Sequence, residues 1–360
     1  MMKLFTIGPT EMYENTKVVR RNDIPYFRTP EFSADVQLMD RLLKRQMGTA
    51  ESSQTIYLTA SGTGAMEATI QNCFSAQDKL LVIDGGSFGN RFAQICDIHR
   101  IPYESLKLKE GEALEEKHLE FYAKDKFTGL LVNLHETSTG QLYDIQMLKK
   151  FCQDKQMYLI VDAISTFLCD DYRMDEWGID ATIISTQKGL CVSPGMSMVV
   201  LNKRIIEEKV KKENSGSVYF DFKDYLENIK RGQTPFTPAV GIVYEILDML
   251  QYIESEELQT RLRHIAHLAE VYRKNVCSEG ISIPDFNMSN AITTTHFEQP
   301  VAQEIYQRLK EEYGMCVNPS GGNFGEYNFR VSHVGALGEE DMLQLAQAIK
   351  ALYTKIQEGK

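Results

Sequence analysis

Short apolar runs bounded by turn residues recur through the first two hundred residues of the chain. They lie at positions 56–58, 80–83, 129–134, 158–161, 182–184 and 198–201. Because these runs do not alternate with polar residues, they predict strands that are buried on both faces. Helical periodicity over 65–74 and 145–156 separates the earlier runs. This alternation predicts an α/β fold with a mainly parallel sheet.

The hydrophobic pattern changes in the last third of the chain. A long helical pattern is interrupted near 254–257, and a last helix carries its apolar side chains on one face, at Met342, Leu345, Ile349, Leu352 and Ile356. We therefore expect a large domain over residues 15–250. We expect a smaller α+β domain over 251–360 that also includes the N-terminal segment 1–14.

The composition is that of an ordinary globular protein. Of the 360 residues, 43% are apolar and 25% are charged, which argues against a collagenous, low-complexity or largely disordered chain. The formal net charge is −11, and a chain this acidic repels nucleic-acid phosphates and anionic membrane surfaces. We therefore expect no nucleic-acid partner and no membrane partner.

Cysteine usage and the first residues bear on the cellular compartment. The seven cysteines include no C-x-x-C pair, which does not fit a disulfide framework or a zinc ribbon. Gly8 and Pro9 come too early for the apolar stretch of a signal peptide, and no later run approaches the ~18 apolar residues of a membrane helix. These features predict reduced thiols and a cytoplasmic protein.

The first candidate site follows the run at 56–58. In a parallel sheet, ligands collect beyond the carboxyl ends of the strands. There, Ser61, Gly62 and Thr63 begin a predicted helix, whose free backbone N–H groups suit a phosphate. The segment lacks the third glycine of a dinucleotide fingerprint and the lysine of a P-loop. A plain glycine turn at the start of a helix remains the alternative.

Two further candidates follow later strands. Asp162 ends the run at 158–161 and could be a helix N-cap, or it could meet a ring nitrogen or a metal. Lys188 follows the run at 182–184 and could be a surface residue, or a partly desolvated amine that forms a Schiff base. A phosphate cradle, an acid and a lysine together fit pyridoxal phosphate, which needs all three.

The chain resembles the class V pyridoxal-phosphate aminotransferases, in the branch with alanine–glyoxylate, serine–pyruvate and 2-aminoethylphosphonate–pyruvate aminotransferases. The resemblance spans almost the whole chain and rests on Gly8-Pro9-Thr10, Arg28-Thr29-Pro30-Glu31-Phe32, Ser61-Gly62-Thr63, His135-Glu136-Thr137-Ser138-Thr139-Gly140, Val161-Asp162, Ser185-Thr186-Gln187-Lys188 and Phe329-Arg330-Val331-Ser332-His333-Val334-Gly335. It implies fold type I of the pyridoxal-phosphate-dependent transferases, with a large cofactor-binding domain and a smaller C-terminal domain.

The resemblance also implies roles for individual residues. It makes Lys188 the Schiff-base lysine and Asp162 the partner of the pyridine nitrogen. The other implied cofactor contacts are Ser61, Gly62, Thr63 and Gln187 at the phosphate, Phe88 and Ile164 on the ring faces, and Thr137 and Ser138 near the phenolic oxygen. A core side chain is the alternative for Phe88, and stacking on the cofactor is the interpretation that we favour.

The implied substrate contacts are Arg330, which would grip the carboxylate of the substrate, and Gly8 and Pro9. Without the resemblance, Arg330 could equally form a structural ion pair. A loop containing Gln233, Thr234 and Thr237 would reach the cofactor phosphate of a neighbouring subunit, which implies a homodimer with shared active sites.

The implied reaction moves an amino group from a small donor, such as alanine or serine, to glyoxylate or pyruvate. A 2-aminoethylphosphonate–pyruvate aminotransferase is the first alternative. A pyridoxal-phosphate lyase or desulfurase is another, because Cys316 lies in a predicted loop before Arg330, although desulfurases place a histidine where this chain has Phe88. A cofactor-binding protein without turnover also stays open. His264 and His267 fit an ordinary helix surface, and we expect no metal site.

Overall fold

The computed structural model describes residues 2–109 and 111–359; Met1 and Lys360, the outermost residues of the predicted small domain, lie outside these ranges. Its strands, in chain order, are β1 Lys3–Phe5, β2 Gln54–Leu58, β3 Leu80–Asp84, β4 Tyr103–Lys107, β5 Gly129–Asn133, β6 His135–Glu136, β7 Gln141–Leu142, β8 Tyr158–Asp162, β9 Ala181–Ser185, β10 Ser197–Leu201, β11 Ile281–Ser282, β12 Ile292–Phe297, β13 Met315–Pro319 and β14 Asn328–Ser332. All six apolar runs are confirmed as strands.

Helices alternate with these strands in the first part of the chain. In chain order they are α1 Glu14–Val19, α2 Pro30–Met47, α3 Gly62–Cys73, α4 Ser87–His99, α5 Glu116–Glu120, α6 Ile145–Asp154, α7 Lys203–Ile205, α8 Phe222–Ile229, α9 Val240–Glu256, α10 Leu258–Val276, α11 Ala302–Tyr313, α12 Phe324–Tyr327 and α13 Glu339–Gln357. A single π-helical turn, Ile206–Val210, continues α7. The predicted interruption of the long helix is confirmed at Glu257, which separates α9 from α10 with a φ of 65°.

Several helix starts follow directly from the local sequence. The Thr29 side chain accepts a hydrogen bond from the N–H of Phe32 at the start of α2, and Pro30 takes the first helical position. Asp144 accepts from two N–H groups at the start of α6. Ser61 accepts from Gly64 N–H at the start of α3, so the predicted glycine turn does begin a helix there.

A seven-stranded sheet forms the larger part of the molecule, in the order β2-β10-β9-β8-β5-β3-β4. Strand β10 runs antiparallel to both of its neighbours, and the other pairings in the sheet are parallel. The prediction of a mainly parallel sheet is therefore confirmed. Strand β4 has no apolar run in the sequence because it lies at the sheet edge and is only partly buried.

Helices cover both faces of this sheet, which explains why its strands read as unbroken apolar runs. On one face, alternate strand residues such as Ile83 and Val161 pack with side chains of α2, α6 and α9. On the other face, residues such as Val82 and Ile160 pack with side chains of α3, α4 and α8. Successive residues of one strand therefore enter two separate cores.

A five-stranded sheet, in the order β1-β13-β14-β12-β11, forms the smaller part. It packs with α10, α11 and α13 around a third core, so the amphipathic last helix is confirmed. The N-terminal strand β1 joins this sheet by parallel pairing with β13. Cys316, which we expected in a loop, lies within β13 opposite Leu4, so that expectation was wrong.

Candidate active site

Several predicted residues meet at the carboxyl ends of the parallel strands. Asp162 is the last residue of β8, and Lys188 lies three residues beyond the end of β9. The Lys188 Nζ atom lies 3.5 Å from Thr137 Oγ1. Arg330, on β14 of the smaller sheet, donates from Nη1 to the Thr137 carbonyl at 2.8 Å. Thr137 therefore connects the lysine of one sheet with the arginine of the other.

Lys188 is a buried amine. Only 8% of the residue is exposed. Burial lowers the pKa of the Lys188 amine, and the nearby Asp162 carboxylate opposes that shift. The amine also lies 5.0 Å from the centroid of the Phe88 ring. A lysine in such an environment can be deprotonated and act as a nucleophile or a base.

The N-terminal segment passes directly over this lysine. A Cβ atom at Gly8 would lie 3.2 Å from Cγ of Lys188 and 3.2 Å from Cγ of Gln187. The carbonyl of the next residue, Pro9, accepts a hydrogen bond from the Thr6 hydroxyl. Glycine at position 8 therefore lets the backbone approach the lysine closely.

Asp162 is buried beside the lysine. Its Oδ1 atom accepts from the N–H of Ile164 at 2.8 Å, while no described residue donates to Oδ2. Burial raises the pKa of Asp162 to about 6, against the opposing effects of the Ile164 N–H and of Lys188. No α-helix begins at Asp162, so the N-cap alternative was wrong. Its second oxygen is left for a cationic or N–H partner.

The start of α3 offers hydrogen-bond donors to an anion. The N–H groups of Gly62 and Thr63 meet no acceptor within the described chain, as expected for the first turn of a helix. Ser185, at the end of β9, lies close by, because a Cβ atom at Gly62 would be 3.4 Å from Cβ of Ser185. The Ser185 hydroxyl donates to Oε1 of Gln187 at 2.6 Å. Arg91 donates to the Thr63 hydroxyl at 3.0 Å.

Arg330 is held by backbone carbonyls and makes no ion pair with a described acidic residue. Its Nη2 atom donates to the carbonyl of Pro319 at 2.8 Å, and its Nε atom is buried without a partner. The structural ion pair that the sequence left open is therefore absent among the described residues. The guanidinium keeps donors available for an anion.

A cavity of about 590 Å³ opens beside Arg330. Its lining includes Phe88, Lys107, Ser138, Ser320, Phe324 and Arg330. Two cationic side chains, one acidic side chain (Asp84) and several hydroxyl groups therefore face one space, whose net positive charge suits a small anionic molecule.

Gln233, Thr234 and Thr237 lie elsewhere. The Gln233 amide donates to the Phe27 carbonyl and the Ser33 hydroxyl, and its oxygen accepts from Arg28. Thr237 is exposed. Within one chain, the structure therefore holds this loop at the start of α2 and gives it no contact with Lys188.

The two histidines of α10 contact the segment around the start of α13. His264 Nε2 lies 3.1 Å from the carbonyl of Leu337, and His267 Nε2 lies 2.9 Å from Glu339. Over residues 2–109 and 111–359, no group of three or more His, Cys, Asp or Glu side chains could hold a metal ion. Over the same residues, no helix has the length and apolarity needed to cross a membrane.

Four residues near the site were given no role from the sequence: Arg91, Glu136, Ser165 and Ser185. Ser165 bonds to the Thr137 hydroxyl at 2.7 Å, and its carbonyl lies 3.1 Å from Nδ1 of His135. The position of Ser185 directly after an apolar run was a usable signal, and Glu136 lies inside a recognised motif. Arg91 has no such signal, because only the folding of α4 against α3 brings it to Thr63.

The residues present fit pyridoxal phosphate. The free N–H groups of Gly62 and Thr63 suit its phosphate, and the open oxygen of Asp162 suits its ring nitrogen. The buried Lys188 amine suits its aldehyde. At Gly62 a Cβ atom would lie only 2.4 Å from Cδ1 of Ile164, so a larger residue would fill the space beside the cradle.

Comparisons with known proteins agree with this chemistry. The sequence pattern of the family described as "Aminotransferase class-V" matches residues 40–327. A relative named "Soluble hydrogenase, small subunit" from Synechococcus sp. (strain PCC 6716) is 26% identical, with 97% of this chain and 92% of the relative covered. The "Serine--glyoxylate aminotransferase" of Hyphomicrobium methylovorum is 25% identical, with 93% of this chain and 85% of the relative covered.

Solved structures show the same fold. An alanine–glyoxylate aminotransferase from Nostoc sp. superposes with a TM-score of 0.92 over 98% of this chain and 95% of its own, at 22% identity. An aspartate aminotransferase from Thermus thermophilus superposes with a TM-score of 0.89 over 98% and 99% of the two chains, at 24% identity. At these identities the likeness concerns the fold alone.

Proposed function

Because the chain belongs to the class V aminotransferase family, whose enzymes use pyridoxal phosphate, we propose that it transfers the amino group of a small donor, alanine or serine, to glyoxylate or pyruvate. The observation that carries this proposal is the contact of Thr137 with both the buried Lys188 amine and the Arg330 guanidinium. It places a nucleophilic amine and a carboxylate-binding group a short distance apart.

In this proposal the cofactor phosphate is held at the start of α3 by Ser61, Gly62 and Thr63, with Gln187 and Ser185 beside them. Asp162 faces the ring nitrogen, and Thr137 and Ser138 face the phenolic oxygen. Phe88 and Ile164 cover the two faces of the ring. When bound, pyridoxal phosphate supplies an aldehyde that bonds to amines and a ring that withdraws electrons from the substrate.

The side chains of this chain then supply the proton transfer and the orientation. The Lys188 amine takes the proton from the donor's α-carbon and would deliver it to the aldehyde carbon of the bound cofactor. Burial prepares the amine for this task because it favours the neutral form. Asp162 supplies a negative charge that stabilises a protonated ring nitrogen.

Arg330 binds the carboxylate of the donor. Two of its N–H groups are used on the carbonyls of Thr137 and Pro319, which fix the plane of the guanidinium. The remaining donors, including the buried Nε, are available to a carboxylate or a phosphonate. A fixed carboxylate in turn fixes which α-carbon bond faces Lys188, and Gly8 and Pro9 border the same space.

Two names among the similar proteins support the choice of substrates. One relative is named a serine–glyoxylate aminotransferase and one structure an alanine–glyoxylate aminotransferase. A donor with a phosphonate in place of the carboxylate, 2-aminoethylphosphonate, could use the same arginine. The donor therefore has to be measured directly.

The test uses ¹⁵N-labelled donors with purified protein, pyridoxal phosphate and, in separate reactions, glyoxylate or pyruvate. Alanine, serine, aspartate and 2-aminoethylphosphonate are supplied one at a time, and mass spectrometry follows the label. The proposal predicts ¹⁵N-glycine from alanine or serine with glyoxylate, or ¹⁵N-alanine from serine with pyruvate. Label that appears only as free ammonia indicates a lyase, and label that stays in every donor overturns the proposal.

We also propose that the active unit is a cytoplasmic homodimer. None of the seven cysteines is in a disulfide bond, which suits a reducing compartment. Exposed apolar residues adjoin the partners of the loop that contains Gln233, Thr234 and Thr237. Tyr26 precedes Phe27, whose carbonyl accepts from Gln233, and Val218 precedes Tyr219, whose ring stacks on Phe236. A neighbouring subunit that covered them would bring this loop to its own cofactor phosphate.

Mixing two inactive variants tests the shared site. One is Lys188→Ala, and the other is Thr237→Asp, which sets a negative charge against the neighbour's phosphate. Unfolding and refolding an equal mixture would give heterodimers with one intact site each, and hence about a quarter of the wild-type activity. A mixture that stays inactive although heterodimers form contradicts the sharing of the loop.

A further inference from the structure

Glu136 is a fully buried carboxylate that the reaction described above does not use. None of its surface is exposed, and no described cation pairs with it. It stands between His135 and Thr137 at the end of β6, beside the residue that joins Lys188 to Arg330. A buried charge without a salt bridge is costly unless hydrogen bonds satisfy it.

Four hydrogen bonds satisfy this carboxylate, and they come from three segments. Oε1 accepts from the N–H of Ser138 at 3.0 Å and from the Ser138 hydroxyl. Oε2 accepts from the N–H of Gly89 at 3.0 Å and from the Asn133 amide at 2.8 Å. Glu136 thus joins the end of β5, the β6–β7 hairpin and the first turn of α4.

The glycine turn before α4 leaves room for this carboxylate. A Cβ atom at Gly86 would lie 2.6 Å from Cδ of Glu136 and 2.3 Å from the Ser138 hydroxyl oxygen. The N–H of Ser87 donates to that same hydroxyl at 3.2 Å. Phe88 is therefore fixed on both sides, through Ser87 to Ser138 and through Gly89 directly to Glu136.

We propose that Glu136 is the positioning residue that fixes Phe88 and Thr137 relative to each other in the active site. One carboxylate anchors the turn that carries the Phe88 ring and the hairpin that carries Thr137. Those two residues face the Lys188 amine, and Thr137 also faces Arg330. This inference rests on the proposed function, because it assigns Phe88 to the wall of the cofactor site.

The four donors favour a carboxylate at this position. Each neighbour offers an N–H or an O–H, so a glutamine at this position would point an NH₂ group at one pair of donors. Glutamine would keep the shape of the side chain but lose one of the two pairs of hydrogen bonds. Burial lowers the pKa of Arg330, and Glu136 is the acidic group that opposes this effect, so the change also removes a charge that favours the cationic arginine.

The first test is amide hydrogen exchange of the cofactor-free protein, which needs no activity. In Glu136→Gln we expect peptides that cover 85–91 and 136–140 to exchange at least ~10-fold faster than in the wild type. The matched control is Asp180→Asn. Asp180 is also buried and accepts from Leu159 N–H and the Asn202 amide, with Arg204 at 3.5 Å, at the opposite end of the strands. Unchanged exchange in both peptides of Glu136→Gln overturns the proposal.

The second test is a double-variant cycle with Phe88→Ala, measured as kcat/KM and as the dissociation constant of pyridoxal phosphate. Glu136→Gln should lower kcat/KM roughly 10–100-fold in the wild type. In the Phe88→Ala background the loss should be at least about threefold smaller, because only the part that acts through Thr137 and Arg330 remains. Equal losses in both backgrounds overturn the proposal. Asp180→Asn should combine additively with Phe88→Ala.

A milder variant covers the case in which Glu136→Gln does not fold. Ser138→Ala removes the hydroxyl that links Ser87 to Glu136 and leaves the carboxylate in place. Faster amide hydrogen exchange over 85–91 in this variant supports the proposal that Glu136 and Ser138 hold the turn, and unchanged exchange contradicts it. If the wild type transfers no ¹⁵N, the proposed function fails, while the exchange experiments still decide whether Glu136 holds the turn.

Discussion

Replacing Gly62 by alanine tests whether the start of α3 and the residue beneath the proposed cofactor are packed as described. The added Cβ would lie 2.4 Å from Cδ1 of Ile164, but 3.4 Å from Cγ1 of Ile164 and from Cβ of Ser185. Only one atom, the end of the isoleucine side chain, is therefore in the way. The backbone of Gly62 does not lie in the left-handed region, so alanine brings no conformational strain.

The size of the effect follows from that single overlap. Crowding a packed interior by one methyl group costs about 1–3 kcal/mol. Ile164→Val removes the Cδ1 atom and by itself costs about 0.5–1.5 kcal/mol. In the valine background, Gly62→Ala should therefore cost close to zero. The coupling energy between the two substitutions is then about 1–3 kcal/mol.

Urea unfolding of the cofactor-free variants measures this coupling, and titration with pyridoxal phosphate measures its effect on binding. Gly241→Ala is the matched control, because Gly241 also lies in the first turn of a helix and its Cβ would meet only ordinary contacts at 3.7 Å or more. We expect this control to leave stability unchanged or raised by up to ~1 kcal/mol. If the double variant loses as much stability as the two single variants together, within ~0.5 kcal/mol, the packing described here is refuted.

Two further predictions concern the charged groups of the site. Arg330→Lys keeps the charge but loses the planar fork, so kcat/KM for alanine should fall roughly 10–100-fold, the value of one charge-assisted hydrogen bond. The control is Arg273→Lys, which also loses hydrogen bonds to backbone carbonyls and should change kcat/KM less than about threefold. Equal losses of kcat/KM in the two variants would contradict the role of Arg330. The second prediction rests on the Asp162 pKa of about 6, which lies above the ordinary 3.8. The unfolded chain therefore releases this proton first as pH rises, and the cofactor-free protein loses stability between pH 4 and 6. Asp162→Asn should remove about 3 kcal/mol of that loss. Urea unfolding at pH 4, 5, 6 and 7 measures the free energy of unfolding of both proteins. If this free energy changes with pH in the same way in the wild type and in the variant, the expectation is wrong.

The sequence predicted the larger sheet well because helices cover both of its faces. Buried strands such as β5 and β8 read as unbroken apolar runs, and each run became a strand. Edge position weakens this signal, which is why the half-exposed β4 was missed. Cys316 was misplaced for a related reason, since the partly buried β13 carries a mixed pattern that looks like a loop.

The candidate site was only partly predictable. Asp162 and Lys188 follow buried runs along the chain. That they lie close together, at the carboxyl ends of the strands, could therefore be expected from the parallel topology. The arrival of Arg330 from the other sheet at Thr137 could not be worked out from spacing, and the expectation rested on the family resemblance alone. The four bonds of Glu136 come from three segments up to 47 residues apart along the chain, a distance over which no local pattern carries information.

The proposed reaction requires Lys188 to hold the cofactor and to take part in amino transfer. This role is tested most directly by the absorbance spectrum of the purified protein with pyridoxal phosphate, before and after adding alanine or serine, in the wild type and in Lys188→Ala. We predict a visible band in the wild type that the donor converts to a near-ultraviolet band as 2-oxo acid is released. The variant should keep its fold, lack the wild-type band and release no 2-oxo acid in repeated turnover. A variant that shows the same band and turns over the donor would contradict the account.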